Sequence, residues 1–467
     1  MKVTTNREEY QTELQDLCKL FGTYDDISIN HIEQSAGENY MDKFELERGM
    51  EKKTFAYSYR LDQTLSPLRQ KSYRKRMVKN HLYSLLSKEL NITLPWGSLT
   101  GVRPTKFARD LVANGEIKEY LIPEILTKDY FVSPERAKLV AKIIKNQKGI
   151  IQNDNMIDLY INIPICPSRC LYCSFISSEI SFVQDRVETY IDCLLKELAC
   201  VKEIIKHKSY IVRNIYMGGG TPSVLSAQQL DRILSELNFP VDEITVECGR
   251  PDTITAEKLD VLKKHHVTRL SINPQTFCEA TLKRIGRKQK NTQVLEAYTL
   301  ALERDFIVNM DVIAGLPGEK LGVFKRTMNT LLELFPHNIT VHTLSVKNGA
   351  LLRDNQEGID DRDIVKMIDY SEKVLAENGY KPYYLYRQKN QLKGLENVGY
   401  YRDNFSCMFN IESMEETNTV IGVGAGAISK RIFNIEKRIE REANVKFIDD
   451  YIARIDEMIE KKKEFYK

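Results

Sequence analysis

The feature of this sequence that most constrains its fold is an alternation of short apolar runs and longer helical stretches, which begins near residue 158. Six such strand–helix units in succession predict a parallel sheet with helices outside it, and near-continuous apolar strands fit a sheet covered on both faces. The predicted strands lie at 159–163, 210–217, 243–247, 267–272, 307–313 and 339–344. The predicted helices lie at 182–205, 226–237, 255–265, 291–304, 320–334 and 361–378.

Six units are too few for a closed eight-stranded barrel, so we expect an α/β fold with a partial (β/α)6 barrel over residues 151–382. Residues 1–150 are predicted to form a mixed α/β region, and residues 383–467 an α-rich C-terminal extension. In the first region, periodicity predicts one strand at 53–61 and helices at 8–21, 67–90, 106–114 and 134–147. The basic residues of 67–90 are more typical of a solvated helix face than of a functional patch.

Unusual residues follow each predicted strand, where functional groups collect in folds of this kind. In strand order they are a cysteine loop at 166–173, GGGTP at 218–222, Glu247, NPQ at 273–275 with IGR at 285–287, Asp311 with GLPG at 315–318, and the segment 342–345. Any one of these segments alone would be no more than a turn or a solvated charge. One set at each of six strand ends predicts a single composite site.

The cysteine loop has the spacing CxxxCxxC, formed by Cys166, Cys170 and Cys173. Four thiolates would complete a structural zinc site or a fully ligated iron–sulfur cluster. Three thiolates on one loop anchor a cubane [4Fe–4S] cluster and leave its fourth iron open to a ligand. The alternatives are a chance spacing and a zinc knuckle with a distant fourth ligand, and the other strand ends favour the cluster.

An open iron needs a ligand that chelates through an amino group and a carboxylate, as the methionyl end of S-adenosylmethionine (SAM) does. Backbone groups at 218–220 allow close approach because glycine carries no side chain. Glu247, Gln275 and Asp311 can hydrogen-bond to an ammonium group or to ribose hydroxyls. Arg287 can hold a carboxylate with a bidentate fork.

Together these motifs resemble the radical SAM enzymes, and within them the branch that contains oxygen-independent coproporphyrinogen III dehydrogenase. The resemblance covers roughly residues 157–430. Finer motifs resemble the HemZ-type subgroup: TGVRPTK at 100–106, RPD at 250–252, SINPQ at 271–275, YYLYRQKN at 383–390, ENVGY at 396–400 and IGVGAGA at 421–427.

The resemblance implies a role for particular residues of this chain. Cys166, Cys170 and Cys173 would bind the cluster. Tyr160 would lie near the methionyl group of SAM and Tyr172 beside its adenine. The remaining implied SAM contacts are Gly219, Gly220, Thr221, Glu247, Gln275, Arg287, Asp311 and, more loosely, Ser345.

The implied reaction is radical decarboxylation of two propionates of coproporphyrinogen III to vinyl groups, with an electron donor such as flavodoxin or ferredoxin. This chain departs from the best-known members, which follow the cluster loop with a fourth cysteine where this chain has Phe175, and usually carry glycine where it has Ser174. A haem-binding chaperone of the same fold, and an enzyme acting on another tetrapyrrole, are therefore alternative functions.

A porphyrinogen with four propionates needs cationic partners and aromatic walls. The predicted substrate contacts are Arg250, Lys347, Arg387 and Lys389. Tyr383, Tyr384 and Tyr386 are equally consistent with aromatic walls and with packing between the barrel and the C-terminal region. The glycine-rich loop at 422–427 lacks the spacing of a dinucleotide site and predicts tight packing or a turn near the ligand.

Composition argues against several partners and compartments. The formal net charge is only +3 with both signs mixed, so a strong sequence-independent grip on nucleic acid is not expected. No apolar run approaches about 18 residues and the N-terminus lacks an apolar signal core, so neither a transmembrane segment nor secretion is expected. Nine cysteines, an odd number with three clustered, favour a reducing cytoplasm. The other six cysteines are predicted to be small buried hydrophobes.

Overall fold

The structure is a computed structural model, and it describes residues 1–147, 155–175, 178–347, 349–353, 358, 361–388, 391–434, 436 and 438–467. The chain divides into two compact units. The first contains Met1–Ile144 with Arg387–Lys389 and Lys393–Leu395, and the second contains Lys145–Tyr386, Asn390–Leu392 and Glu396–Lys467. No helix among the described residues is long and apolar enough to cross a membrane.

The first unit is built on a four-stranded sheet in the order β1-β2-β3-β4, in which only β1 and β2 are parallel in the described part of the chain. Its strands are β1 (Lys2–Thr5), β2 (Ile27–Ala36), β3 (Asn39–Arg48) and β4 (Glu51–Arg60). Its helices are α1 (Glu8–Leu20), α2 (Pro67–Leu90), α3 (Pro104–Ala113), α4 (Ile122–Tyr130) and α5 (Pro134–Asn146). The helices and the strand predicted for this region are confirmed, whereas helix α4 and strands β1, β2 and β3 were not predicted.

Local signals explain the bounds of helix α2, the longest helix of this unit in the described chain. Ser66 accepts a hydrogen bond from the amide of Arg69, Pro67 occupies the first turn, and Asn91 ends the helix in a left-handed conformation. Its basic side chains have acidic partners: Arg74 pairs with buried Glu33, and Arg76 with Asp129. These ion pairs fit the interpretation of a helix face rather than a free cationic patch.

In the described residues, the second unit contains an eleven-stranded sheet. Its strands are β5 (Met156–Ile163), β6 (Ile211–Gly219), β7 (Glu243–Glu247), β8 (Arg269–Ser271), β9 (Ile307–Ala314), β10 (Asn338–Thr343), β11 (Lys381–Arg387), β12 (Glu396–Tyr401), β13 (Thr419–Val423), β14 (Ile428–Phe433) and β15 (Arg438–Ala443). Strands β5 to β10 are the six predicted strands, and they run parallel in sequence order. The partial barrel is confirmed.

Helices follow the parallel strands as the sequence predicts. They are α6 (Ile180–Val183), α7 (Val187–Lys208), α8 (Ala227–Ser235), α9 (Ala256–Lys264), α10 (Glu279–Arg284), α11 (Asn291–Leu302), α12 (Leu321–Leu334) and α13 (Ile364–Glu377). Alternate residues of β5 are fully buried apolar side chains, such as Leu159 and Ile161. The polar residues between them hydrogen-bond across strands, as Asp158 does with Asn214 at 2.8 Å, so the barrel interior is polar.

The C-terminal region differs from the α-rich expectation. It supplies strands β11 to β15, and its helices are α14 (Met408–Glu415), α15 (Ile448–Ala453) and α16 (Ile455–Phe465). β12 pairs antiparallel with β10 and β13 pairs parallel with β5, so the region extends the barrel sheet at both edges. Charged residues recur along β15, a pattern that fits either an exposed edge strand or a solvated helix face. The segment forms a strand because it pairs antiparallel with β14.

Candidate functional site

The cysteine loop is held at both ends by backbone pairing. Ile165–Cys166 pairs in parallel with Ser178–Glu179, and the amide of Leu171 donates to the carbonyl of Ile285 at 3.0 Å. The amide of Cys173 donates to the carbonyl of Cys170 at 3.1 Å, which closes the loop. Burial raises the pKa of the Cys173 thiol to about 11, and the charges of Cys170 and Cys166 add to the rise.

Arg250 was predicted to contact the substrate, but it forms hydrogen bonds with the cysteine loop instead. Its Nε and Nη2 donate to the Asp252 carboxylate at 3.1 and 3.0 Å. Its Nη1 donates to the carbonyl and hydroxyl oxygens of Ser168 at 3.2 and 2.9 Å. The residue is 3% exposed. Its placement therefore favours a structural role in the cysteine loop.

The glycine loop after β6 lies against strand β5. A Cβ on Gly219, whose φ is +100°, would lie 1.8 Å from Asn162 Oδ1, and a Cβ on Gly220 would lie 2.5 Å from the Ile165 carbonyl oxygen. The amides of Gly220 and Thr221 donate to the carbonyls of Ile163 and Ile165 at 2.9 and 2.8 Å, so both amides are already paired within the chain. Thr221 Oγ1 lies 3.5 Å from Cys166 Sγ, which joins the two loops.

Glu247 is the last residue of strand β7, and its surroundings favour the protonated form of its carboxyl group. Burial raises the pKa of its carboxyl to about 7, and a 2.6 Å hydrogen bond from the Tyr216 hydroxyl opposes the rise. The rings of Tyr216 and Phe409 stack at 4.5 Å, and Tyr160 stacks beside them. Tyr160 donates to Asn162 Oδ1 at 3.2 Å, so its hydroxyl is oriented from within the barrel.

Gln275 and Asp311 meet at the ends of β8 and β9. The amide of Gln275 donates to the Asp311 carbonyl at 2.9 Å, and Gln275 adopts a positive φ of 64°. Its side-chain Oε1 is buried and has no hydrogen-bond partner in the described chain. Burial raises the pKa of Asp311, but the interactions with His342 and the hydrogen bond from Asn309 outweigh burial and hold it below its usual range. The site therefore contains an ionised carboxylate beside an unsatisfied amide oxygen.

Arg287 lies beside the cysteine loop. Its Nη1 donates to the carbonyls of Asn273 and Gly249 at 2.7 and 3.2 Å, while its Nε is buried and has no partner in the described residues. Burial lowers the pKa of Arg287, but neighbouring Tyr172 and Cys170 outweigh burial and keep it above its usual range. The guanidinium thus keeps its Nε–H donor for a ligand.

The donor set fits a [4Fe–4S] cluster with SAM. Three thiols share one loop, and Gln275 Oε1 and Arg287 Nε are buried polar atoms that await a partner. Among the described residues, no three His, Cys, Asp or Glu side chains surround a single-ion position.

The structure places the other predicted contacts as follows. Ser345 bridges to Gln391 beyond strand β10. Lys347 is half-buried near Cys173, and burial lowers its pKa. Arg387 belongs to the first unit, and Lys389 lies outside the described residues.

The guanidinium of Arg387 is turned to the backbone. Its Nε and Nη2 donate to the Gly394 carbonyl at 3.0 and 2.8 Å, and its Nη1 donates to the Leu99 carbonyl. Its Cζ lies 5.2 Å from the centre of the Trp96 ring. These contacts favour a structural role over a propionate contact.

The tyrosines before Arg387 also fit the packing interpretation. Tyr383 and Tyr384 are 1% and 5% exposed and belong to a buried cluster with Tyr401, Cys407 and Phe409.

The glycine-rich loop at 422–427 is tightly packed as well. The amide of Gly424 donates to buried Glu197 at 2.8 Å, which agrees with the predicted tight packing of this loop.

Residue patterns alone gave no role to several residues that shape the site. Asn162 accepts a hydrogen bond from Tyr160 and contacts the glycine loop. Ser168 accepts a hydrogen bond from Arg250. Asn309 donates to Asp311 at 2.7 Å. A lone Asn inside an apolar strand, as Asn162 is, was the available signal.

Three of the cysteines expected to be buried, Cys193, Cys200 and Cys278, are only partly buried.

Comparison with known proteins agrees with this geometry. The radical SAM superfamily model matches residues 160–331. The oxygen-independent coproporphyrinogen-III oxidase-like protein HemZ of Bacillus subtilis is 38% identical over 405 residues, covering 83% of this chain and 81% of that protein. The heme chaperone HemW of Lactococcus lactis is 33% identical over 236 residues, covering 48% of this chain and 60% of that protein.

Among solved structures, coproporphyrinogen III oxidase (HemN) from Escherichia coli superposes with a TM-score of 0.53 at 22% identity, covering 65% of this chain and 70% of that chain. This likeness confirms the fold. Radical SAM proteins use a [4Fe–4S] cluster held by three cysteines together with SAM, and the three cysteines are present here. The chain belongs to the radical SAM superfamily and, within it, to the family of the coproporphyrinogen-III oxidase-like protein HemZ.

Proposed function

We propose that the chain oxidatively decarboxylates two propionates of coproporphyrinogen III to vinyl groups, which gives protoporphyrinogen IX. For each propionate, one β-hydrogen atom, CO₂ and one electron leave, and the electron passes to an acceptor. The observation that carries the proposal is the similarity to the HemZ protein along more than four fifths of both chains, whereas the HemW similarity covers about half of this one.

When bound, the cluster and SAM supply a 5′-deoxyadenosyl radical that removes the hydrogen atom. In this proposal the chain holds and shields that chemistry. Cys166, Cys170 and Cys173 hold the cluster, while Arg287 and Glu247 bind polar groups of SAM. The aromatic stack around Tyr216 limits the access of water to the barrel interior.

The partners proposed for this reaction are a porphyrinogen and a small reductant such as flavodoxin or ferredoxin. A reducing cytoplasm suits both the cluster and the cysteines, all nine of which are free thiols in the structure. Arg250 and Arg387 are weak candidates for propionate binding because their donors serve internal oxygens. Lys347 remains a proposed contact.

A second candidate function is a haem-binding chaperone. Two observations favour it: a heme chaperone is among the relatives, and Phe175 stands where the best-known dehydrogenases carry a fourth cysteine. The Phe175 side chain is 64% exposed, so an aromatic surface next to the cluster loop is open to a flat ligand.

The deciding experiment is anaerobic turnover. Protein with a reconstituted cluster is mixed with SAM, dithionite and coproporphyrinogen III, and products are analysed by mass spectrometry. We expect two successive losses of CO₂ and two hydrogens, absent in Cys170→Ala. A stable Soret band with haem, together with no vinyl product, would instead support the chaperone.

A further inference from the structure

The two oxygens of the Asp311 carboxylate have separate partners. Oδ1 accepts a 2.7 Å hydrogen bond from the Asn309 amide, and Oδ2 lies 3.5 Å from His342 Nε2. Asn309 is itself fixed, because its amide also donates to Ser271 at 2.9 Å and its oxygen accepts from Thr340 at 3.1 Å. Oδ1 is therefore held by a rigid network, and His342 is the partner that orients Oδ2.

The contact with His342 is loose enough to leave room for a ligand. At 3.5 Å it exceeds a normal hydrogen bond, so Oδ2 keeps the capacity to accept from another donor. The side chains of His342 and Asp311 are 25% and 19% exposed. A ligand hydroxyl can therefore reach Oδ2 while the imidazole lies against the same carboxylate.

Electrostatics gives His342 a second effect on the site. The titratable groups near it are Asp311 on β9 and Glu247 on β7. Burial raises the pKa of Glu247, the charge of Asp311 adds to the rise, and His342 opposes it. Without the imidazole, the Glu247 carboxyl would hold its proton more strongly, because the opposing effect of His342 would be lost.

We infer that His342 is a positioning residue of the SAM site: it orients the Asp311 carboxylate and keeps it available to a ligand hydroxyl. The inference rests on SAM as the ligand of the barrel and on Asp311 as one of its contacts. It does not depend on which tetrapyrrole is the substrate, so vinyl product formation tests the proposed reaction separately.

The test is a double-mutant cycle on SAM affinity, measured by anaerobic titration calorimetry of cluster-reconstituted protein. His342→Leu should raise the Kd for SAM about tenfold, which corresponds to roughly 1.4 kcal/mol. His342→Gln keeps an N–H donor and should stay within about threefold of the unmodified protein. In an Asp311→Asn background, His342→Leu should have no further effect.

A matched control is available on the outside of the barrel. His265 Nε2 lies 2.7 Å from Asp231, so His265→Leu breaks another histidine–aspartate pair and should leave SAM affinity unchanged. Unchanged affinity in His342→Leu, or an equal loss in the Asp311→Asn background, would overturn the inference. If Asp311→Asn itself leaves SAM affinity unchanged, the assignment of Asp311 falls and the role of His342 falls with it.

Discussion

Arg250→Met should destabilise the barrel and impair cluster assembly rather than weaken substrate binding. Arg250 donates four hydrogen bonds, two to the Asp252 carboxylate and two to Ser168 in the cysteine loop. Breaking a buried ion pair costs about 3–5 kcal/mol. Because the Asp252 side chain keeps 23% exposure, we expect the lower end, about 3 kcal/mol.

The measurement is thermal unfolding of the cofactor-free protein, followed by iron content after anaerobic reconstitution. With an unfolding entropy of about 2.1 cal/mol/K per residue, one kcal/mol shifts the Tm of a unit of roughly 320 residues by about 1.5 °C, so the Tm should fall by about 4–5 °C. Iron content should fall as well, because Ser168 lies between Cys166 and Cys170.

Arg304→Met is the matched control for Arg250→Met. Arg304 pairs at 2.7 Å with Asp260, whose side chain is 65% exposed, and breaking such a surface pair costs about 1 kcal/mol or less. The reasoning fails if Arg250→Met keeps its Tm and iron content but loses coproporphyrinogen turnover. That pattern would support the prediction from sequence that Arg250 contacts the substrate.

Three further predictions follow from the site. Cys170→Ala should lose the brown cluster colour and SAM cleavage, whereas Cys193→Ala should keep both and lose about 1 kcal/mol of packing energy at most; iron assays decide. Glu247 has a folded pKa of about 7, above its unfolded value, so its ionisation destabilises the cofactor-free protein as pH rises through that range. Glu247→Gln should therefore raise the Tm at pH 8, by a stability gain of about 3 kcal/mol, and barely at pH 5; an equal gain at both would refute this. Arg387→Ala should lower the Tm, because three buried hydrogen bonds to the Gly394 and Leu99 carbonyls are lost, and turnover should fall only in proportion to folded protein.

The sequence by itself determined the barrel and the location of the site. Strand–helix periodicity is a local property, and the order β5 to β10 follows from it because parallel strands need helical crossovers. Since parallel strands end at one edge, the residues after them had to converge there. The cysteine spacing, Glu247 and Asp311 were therefore located without coordinates.

Tertiary structure decided which charged and polar groups remain free for a ligand. A sequence shows that Arg250 and Arg387 are cationic, but not that distant carbonyls, such as that of Leu99, satisfy them. It also could not show that Asn309 and His342, from two neighbouring strands, lie against the two oxygens of Asp311. The C-terminal strands needed the barrel as well, because the pairing of β13 with β5 and of β12 with β10 joins segments far apart in the chain. Such contacts join segments that are far apart in the sequence, so local residue patterns do not predict them.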